Sequence, residues 1–184
     1  VLTTLLWLAA PVPGQQFVQY GFESRDRIWV QGPADAGFKP LVHKLTDETA
    51  HTGQHCETIQ FDAEAGTFIY YTYSPGKAAI SEELSVSVWG KANRPGVSLR
   101  CRAVLPRERD PKDLQQPLVV FLTGETYQLV GRWQQLTLRQ PVKRLREQQQ
   151  LLRDERKADV IVAGAYVDQV ILNVYGGPGR TEVF

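Results

Sequence analysis

Alternation with a period of two residues constrains this sequence more than any other feature. Leu84, Val86 and Val88 alternate with Ser85, Ser87 and Trp89. Further on, Val97, Leu99, Cys101, Ala103 and Leu105 alternate with Ser98, Arg100, Arg102 and Val104. Successive side chains of a strand point to opposite faces, so each run describes a strand buried on one side only. Between the runs lies Ala92-Asn93-Arg94-Pro95-Gly96, whose Pro and Gly suit a turn. A hairpin about that turn sets Val88 opposite Cys101 and Trp89 opposite Arg100, with the apolar faces coincident.

Further strands are expected over Phe17–Phe22, Glu57–Phe61, Thr67–Tyr73, Leu118–Leu122, Gln134–Arg139, Val160–Ala163 and Val167–Tyr175, with another beginning near Arg180. Turn residues separate them at Ala65-Gly66, Ser74-Pro75-Gly76, Gly131 and Gly176-Gly177-Pro178-Gly179. Many short strands with such punctuation predict an all-β fold, an antiparallel β-sandwich or jelly roll. The charged, proline-containing stretch from Pro106 to Pro117 reads as a loop excursion at one end. One segment departs from the pattern. Pro141 to Lys157 is rich in Lys, Arg, Glu and Gln around Val142, Leu145, Leu151 and Leu152, which predicts one inserted surface helix at about 142–157. There is no internal repeat, so residues 17–184 are expected to form one domain.

The first sixteen residues stand apart. Val1 to Ala10 is apolar and is followed by Pro11, Pro13 and Gly14. The run is shorter than the roughly 20 residues of a membrane-spanning helix and matches the apolar core of a secretory signal without its charged start. The expectation is a partial signal peptide over residues 1–16 and a secreted, periplasmic or cell-surface location. Arg180 to Phe184 reads as an opening strand without a closing turn, so the domain is expected to be truncated at a C-terminal strand and followed by a further domain.

Lys and Arg number 21 against 20 Asp and Glu, a net charge of +1 that argues against nucleic acid or an anionic membrane as partner. No later segment is apolar enough for a transmembrane helix. Cys56 and Cys101 are the two cysteines; a disulfide and two buried thiols are both compatible with their strand positions.

Motifs for catalysis are missing. There is no Gly-x-Ser-x-Gly elbow and no His-Glu-x-x-His pair. Ser74-Pro75-Gly76-Lys77-Ala78 lacks the first glycine and the final Ser or Thr of a phosphate loop. His51, His55 and Cys56 are close in sequence, but no second liganding pair completes a zinc site. Glu82-Glu83 and Asp154-Glu155 are adjacent carboxylates, not a pair held across a cleft.

Aromatic residues give the positive signal, with four Trp and seven Tyr. A flat ring stacks on the C–H face of a sugar while fixed polar groups meet its hydroxyls. Trp89, on the polar side of its strand and facing Arg100 and Arg102 in the expected hairpin, is the first candidate for such a platform. Packing of Trp89 beneath the helix or an arginine is the competing role. Tyr71 and Tyr73 share one strand face, as do Asn173 and Tyr175, and these four could line the same groove or belong to the core. Trp29 and Trp133 suit structural roles.

Three short motifs occur in a telling order: Phe22-Glu23, His51-Thr52-Gly53 and Gly131-Arg132-Trp133-Gln134. In this order the chain resembles carbohydrate-binding modules of the galactose-binding-like jelly-roll class, found in secreted bacterial proteins, from about Phe17 to Phe184. The resemblance implies a non-catalytic accessory domain that binds a poly- or oligosaccharide, at the N-terminus of a larger protein such as a glycoside hydrolase. It also implies a structural calcium, with Glu23 and the Thr52 carbonyl as ligands; the acidic residue such modules place in their last strand would fall beyond Phe184. The other expectation for this fold is a structural sandwich that packs against the rest of its own chain and takes no ligand.

Overall fold

The computed structural model of the protein describes residues 18–19, 21–23 and 26–184. The expected signal segment, residues 1–16, lies outside them, as do Phe17 and Tyr20 of the expected first strand; Gly21–Glu23 are not in a strand.

Alternating sequence becomes eleven strands, β1 (Val30–Ala34), β2 (Phe38–Thr46), β3 (Cys56–Ala63), β4 (Ile69–Tyr73), β5 (Ala78–Ala79), β6 (Val86–Gly90), β7 (Ser98–Asp110), β8 (Asp113–Thr126), β9 (Gln134–Leu138), β10 (Tyr166–Asn173) and β11 (Gly179–Val183). One helix, α1 (Pro141–Arg156), follows β9. The larger sheet runs β1-β4-β10-β7-β8, with β5 added on β10. The smaller layer joins β2-β3-β11 to β6-β9. Its seam is the segment just after β6: Lys91 and Phe184 exchange N–H···O bonds of 3.0 and 2.8 Å, and Ala92 bridges Val183. Neighbouring strands are antiparallel in both layers, so the fold is an antiparallel β-sandwich with one helix.

The core follows from the alternation. Leu99, Cys101, Ala103 and Leu105 of β7 join Leu118, Val120 and Leu122 of β8 from the larger sheet. Ile59, Phe61, Ala63, Leu136, Leu138 and Val183 face them from the smaller layer. At roughly 25 cal/mol per Å² of apolar area, this burial is the main stabilising contribution. Both cysteines are buried and unpaired. Burial pushes the Cys101 thiol up to about 12, and Cys56 donates its S–H to the Thr49 carbonyl at 2.9 Å.

The expected hairpin between the first two alternating runs does not form. β6 pairs with β9, setting Trp89 opposite Gln135, whereas β7 pairs with β10 and β8. The Ala92–Gly96 stretch instead crosses between layers: Gly96 adopts φ 104° and a Cβ there would meet Gly176 at 3.2 Å. Two apolar faces coincide equally well across a sandwich as within a hairpin, because both face the same core. The expected excursion at 106–117 is itself a β-ribbon, in which β7 and β8 continue as far as the Asp110–Asp113 pair. Val160–Ala163 forms no strand.

Helix α1 begins where expected. Pro141 needs no N–H partner at the first helical position, and Gln140 before it is left-handed at φ 52°. Leu145 enters the core, while Arg153 and Arg156 occupy the last turn, where cations suit the helix dipole. Arg156 also meets Glu108 of β7 at 3.5 Å, tying the helix to the long ribbon.

Candidate binding face

The residues opposite the core positions of β7 face outward from the larger sheet. Arg100 and Arg102 lie here, aligned across the strands with Ile171 and Thr123 and with Gln169 and Phe121. Tyr70 shares a row with Asn173 and Ser98, and Phe68 stacks on Tyr70 with ring centroids 4.4 Å apart. Ile171 is the apolar floor between the arginines and the tyrosine, 2% exposed. Phe121 stands at the other end of the face, 41% exposed.

The two arginines differ in their bonding. Arg102 donates from Nε and Nη2 to the two oxygens of Asp168 at 2.8 and 2.7 Å, a bidentate pair that fixes the guanidinium in place and raises its pKa. Arg100 donates from Nη1 to the Tyr70 hydroxyl at 2.9 Å. Its guanidinium carbon lies 5.8 Å from the centre of the Tyr70 ring. Its Nε is enclosed and has no hydrogen-bond partner among the described residues.

Trp89 lies elsewhere. It faces outward from the smaller layer, beside Gln135, so the sandwich separates it from Arg100 and Arg102. The expected grouping of these three residues is therefore corrected: facing sheets are about 10 Å apart at their backbones alone. The partner of the indole is His51, stacked at 3.6 Å between centroids and tilted 14°. Trp133 meets the same imidazole edge-on at 5.8 Å.

The tyrosines and Asn173 are placed chiefly by packing. Tyr71 is 1% exposed and turned into the core. Tyr73 packs beside it, its ring edge against Trp29 at 6.2 Å. Asn173 Oδ1 accepts the N–H groups of Ile69 and Tyr175 at 3.1 and 3.2 Å, and its Nδ2 donates to the Thr67 carbonyl at 3.3 Å. Tyr175 accepts the Gly66 N–H at 3.0 Å and donates to the Glu64 carbonyl at 3.1 Å. These bonds hold β4 and its preceding loop in place; Tyr71, Tyr73 and Tyr175 pack against the core, whereas Asn173 lies on the outward face in the row of Tyr70, buried and with its amide taken up by backbone groups.

Glu23 and the Thr52-Gly53 step do come together. Glu23 Oε1 accepts the backbone N–H groups of Gln54 and His55 at 2.9 and 3.3 Å, and Oε2 lies 3.2 Å from His55 Nδ1. The Gln54 N–H first, then the His55 side chain, hold the carboxyl below its usual range. Such a donor set satisfies an anion. A calcium ion needs six to eight oxygens, and among the described residues no group of three or more His, Cys, Asp or Glu side chains surrounds a metal position. In this arrangement both Glu23 oxygens are engaged by the 54–55 segment.

Sequence reasoning missed Tyr70, Phe121 and Asp168. Phe121 was accessible from its alternation with Val120 and Leu122. Asp168 was not, because it occupies the irregular step between Val167 and Gln169, where β10 and β7 lose register.

Comparison with known proteins gives no matching family model and no matching curated protein. Among solved structures, the chain is similar to the family 30 carbohydrate-binding module of a cellulosomal cellulase of Clostridium thermocellum, with a TM-score of 0.43, 11% identity, and 85% of this chain and 87% of that one covered. It is also similar to a family 61 carbohydrate-binding module solved in complex with β-1,4-galactotriose, at a TM-score of 0.31 and 10% identity over 86% of this chain and 94% of that one.

Proposed function

We propose that the protein is a non-catalytic glycan-binding module that holds its ligand on the outward face of the larger sheet. The observation carrying this reading is the make-up of that face: aromatic side chains at its two ends, with anchored guanidinium groups between them. The Phe68–Tyr70 stack and Phe121 are three interstrand steps and four residue rises apart, on the order of 19 Å. That span suits several consecutive sugar rings. Exposed Phe121 offers a plane for stacking, and Arg102, held by Asp168, offers donors that need no reordering on binding. Trp89, with His51 on its ring, belongs to the opposite surface and is not part of this platform. The apolar start of the chain supports export, and the accessory role is to keep a catalytic domain of the same polypeptide near its substrate.

Affinity electrophoresis against a panel of soluble polysaccharides tests the reading. Retardation by at least one polymer, weakened by Phe121→Ala with unfolding temperature unchanged, is the expected result. Mobility unaffected by every polymer would sink it and favour a sandwich that packs against other parts of its own chain.

A further inference from the structure

We infer that the ligand of this face is an acidic glycan, recognised through an oxyanion that Arg100 pairs with; this rests on the glycan-binding reading. The two arginines of the face are two residues apart on β7, yet only one is neutralised. Asp168 takes Arg102 through both oxygens. Among the described residues Arg100 has no ion pair, and its one hydrogen bond goes to the neutral Tyr70 hydroxyl. The side chain is half-buried, with its Nε enclosed and unbonded, over the apolar floor of Ile171.

A cation partly withdrawn from water costs free energy unless a counter-charge answers it. The protein supplies that counter-charge for Arg102 and leaves it out for Arg100. Three neighbouring ionisable side chains have their own partners: Asp168 is engaged by Arg102, Tyr70 meets Arg100 through its hydroxyl, and Tyr166, opposite Val104, carries Lys77 over its ring at 5.0 Å. A guanidinium matches a carboxylate or sulfate with parallel charge-assisted bonds, roughly twice as strong as the bonds a sugar hydroxyl would make. Partial burial also strengthens the attraction relative to a fully hydrated pair. The face therefore discriminates by charge at its centre and by ring stacking at its ends.

The experiment compares the full chain on polygalacturonate, on the same polymer with its carboxylates methyl-esterified, on chondroitin sulfate, on unsulfated chondroitin and on neutral galactan. The wild-type protein should bind an acidic polymer at least tenfold more tightly than the esterified or neutral ones, and added salt should erode the difference. Arg100→Met should abolish that preference, while Arg146→Met, an equal charge change on exposed α1, should keep it. Tighter binding to chondroitin sulfate than to unsulfated chondroitin, which keeps the same carboxylates and backbone, identifies the oxyanion as sulfate and supports the inference in that form. Equal wild-type binding to charged and esterified polymer overturns it, independently of how any variant folds. Binding to galactan as tight as to either acidic polymer overturns the acidic ligand and leaves the glycan-binding module standing; binding to no polymer overturns both.

Discussion

Glu57 and His43 meet at 2.5 Å between the two layers of the sandwich, Oε1 against Nε2. The Glu57 side chain is 1% exposed, and its second oxygen accepts the N–H groups of Ile28 and Trp29 at 3.0 and 3.4 Å. His43 in turn sets its ring edge on Tyr71 of the opposite sheet at 5.1 Å. One buried carboxylate thus ties the approach to β1 and the strand β2 to the core.

Replacing Glu57 with Ala orphans those donors and should destabilise the protein by about 3 kcal/mol. Glu57→Gln keeps an acceptor oxygen and should cost less. Urea denaturation of both variants checks the order; a near-neutral Glu57→Ala would refute the role given to the carboxylate.

Thr181 offers a change of opposite sign. It is 0% exposed, and its hydroxyl has no hydrogen-bond partner among the described residues. Thr181→Val removes the unsatisfied group at nearly constant shape and should stabilise by about 1 kcal/mol. A lower urea midpoint than wild type would show that the hydroxyl is in fact bonded.

Asp35 sets an acid limb. The Thr67 hydroxyl, then the N–H groups of Thr67 and Phe68, hold its carboxyl down to about 2. A carboxyl depressed in the folded state contributes stability above its unfolded pKa near 4. That contribution is lost as pH falls from there through about 2. Asp35→Ala should therefore lower the unfolding temperature at pH 7 and flatten its decline between pH 4 and 2. Parallel wild-type and variant curves across that range would contradict the assignment.

The thiols should be silent in the native state. With Cys101 at 0% exposure and Cys56 at 6%, a thiol reagent should modify neither until denaturant is added, and then both. Fast native labelling of either would be inconsistent with this packing.

Calcium should make no difference to the loop held by Glu23. Unfolding temperatures in excess calcium and in chelator should coincide, whereas Glu23→Gln, which weakens the bonds to Gln54 and His55, should lower both equally. A calcium-dependent rise would restore the metal.

The alternation revealed which side chains are inward but not which strands are neighbours. Leu99 and Cys101 could be assigned to the core from sequence, because burial depends on parity alone. Trp89 could not be separated from Arg100, since their relative placement depends on whether Ala92–Gly96 turns within a sheet or crosses between two. β2 escaped notice for a different reason. Pro40 and three lysine or histidine positions blur its pattern, as suits a strand at a sheet edge. The candidate face was half legible: its arginines stood out, but Tyr70 was obscured beside Tyr71 and Tyr73, of which only the outward-facing member of the run meets Arg100.

β11, the last of the eleven described strands in chain order, fills the middle of the smaller layer. β11 lies between β3 and the 91–93 segment, so a growing chain exposes both as open edges until residues 179–183 leave the ribosome. At about 5–20 residues per second that interval is on the order of 5–20 s. For that time the nascent sandwich is half-zipped and vulnerable to cross-pairing with its neighbours on the same message, and a holding chaperone has most to protect.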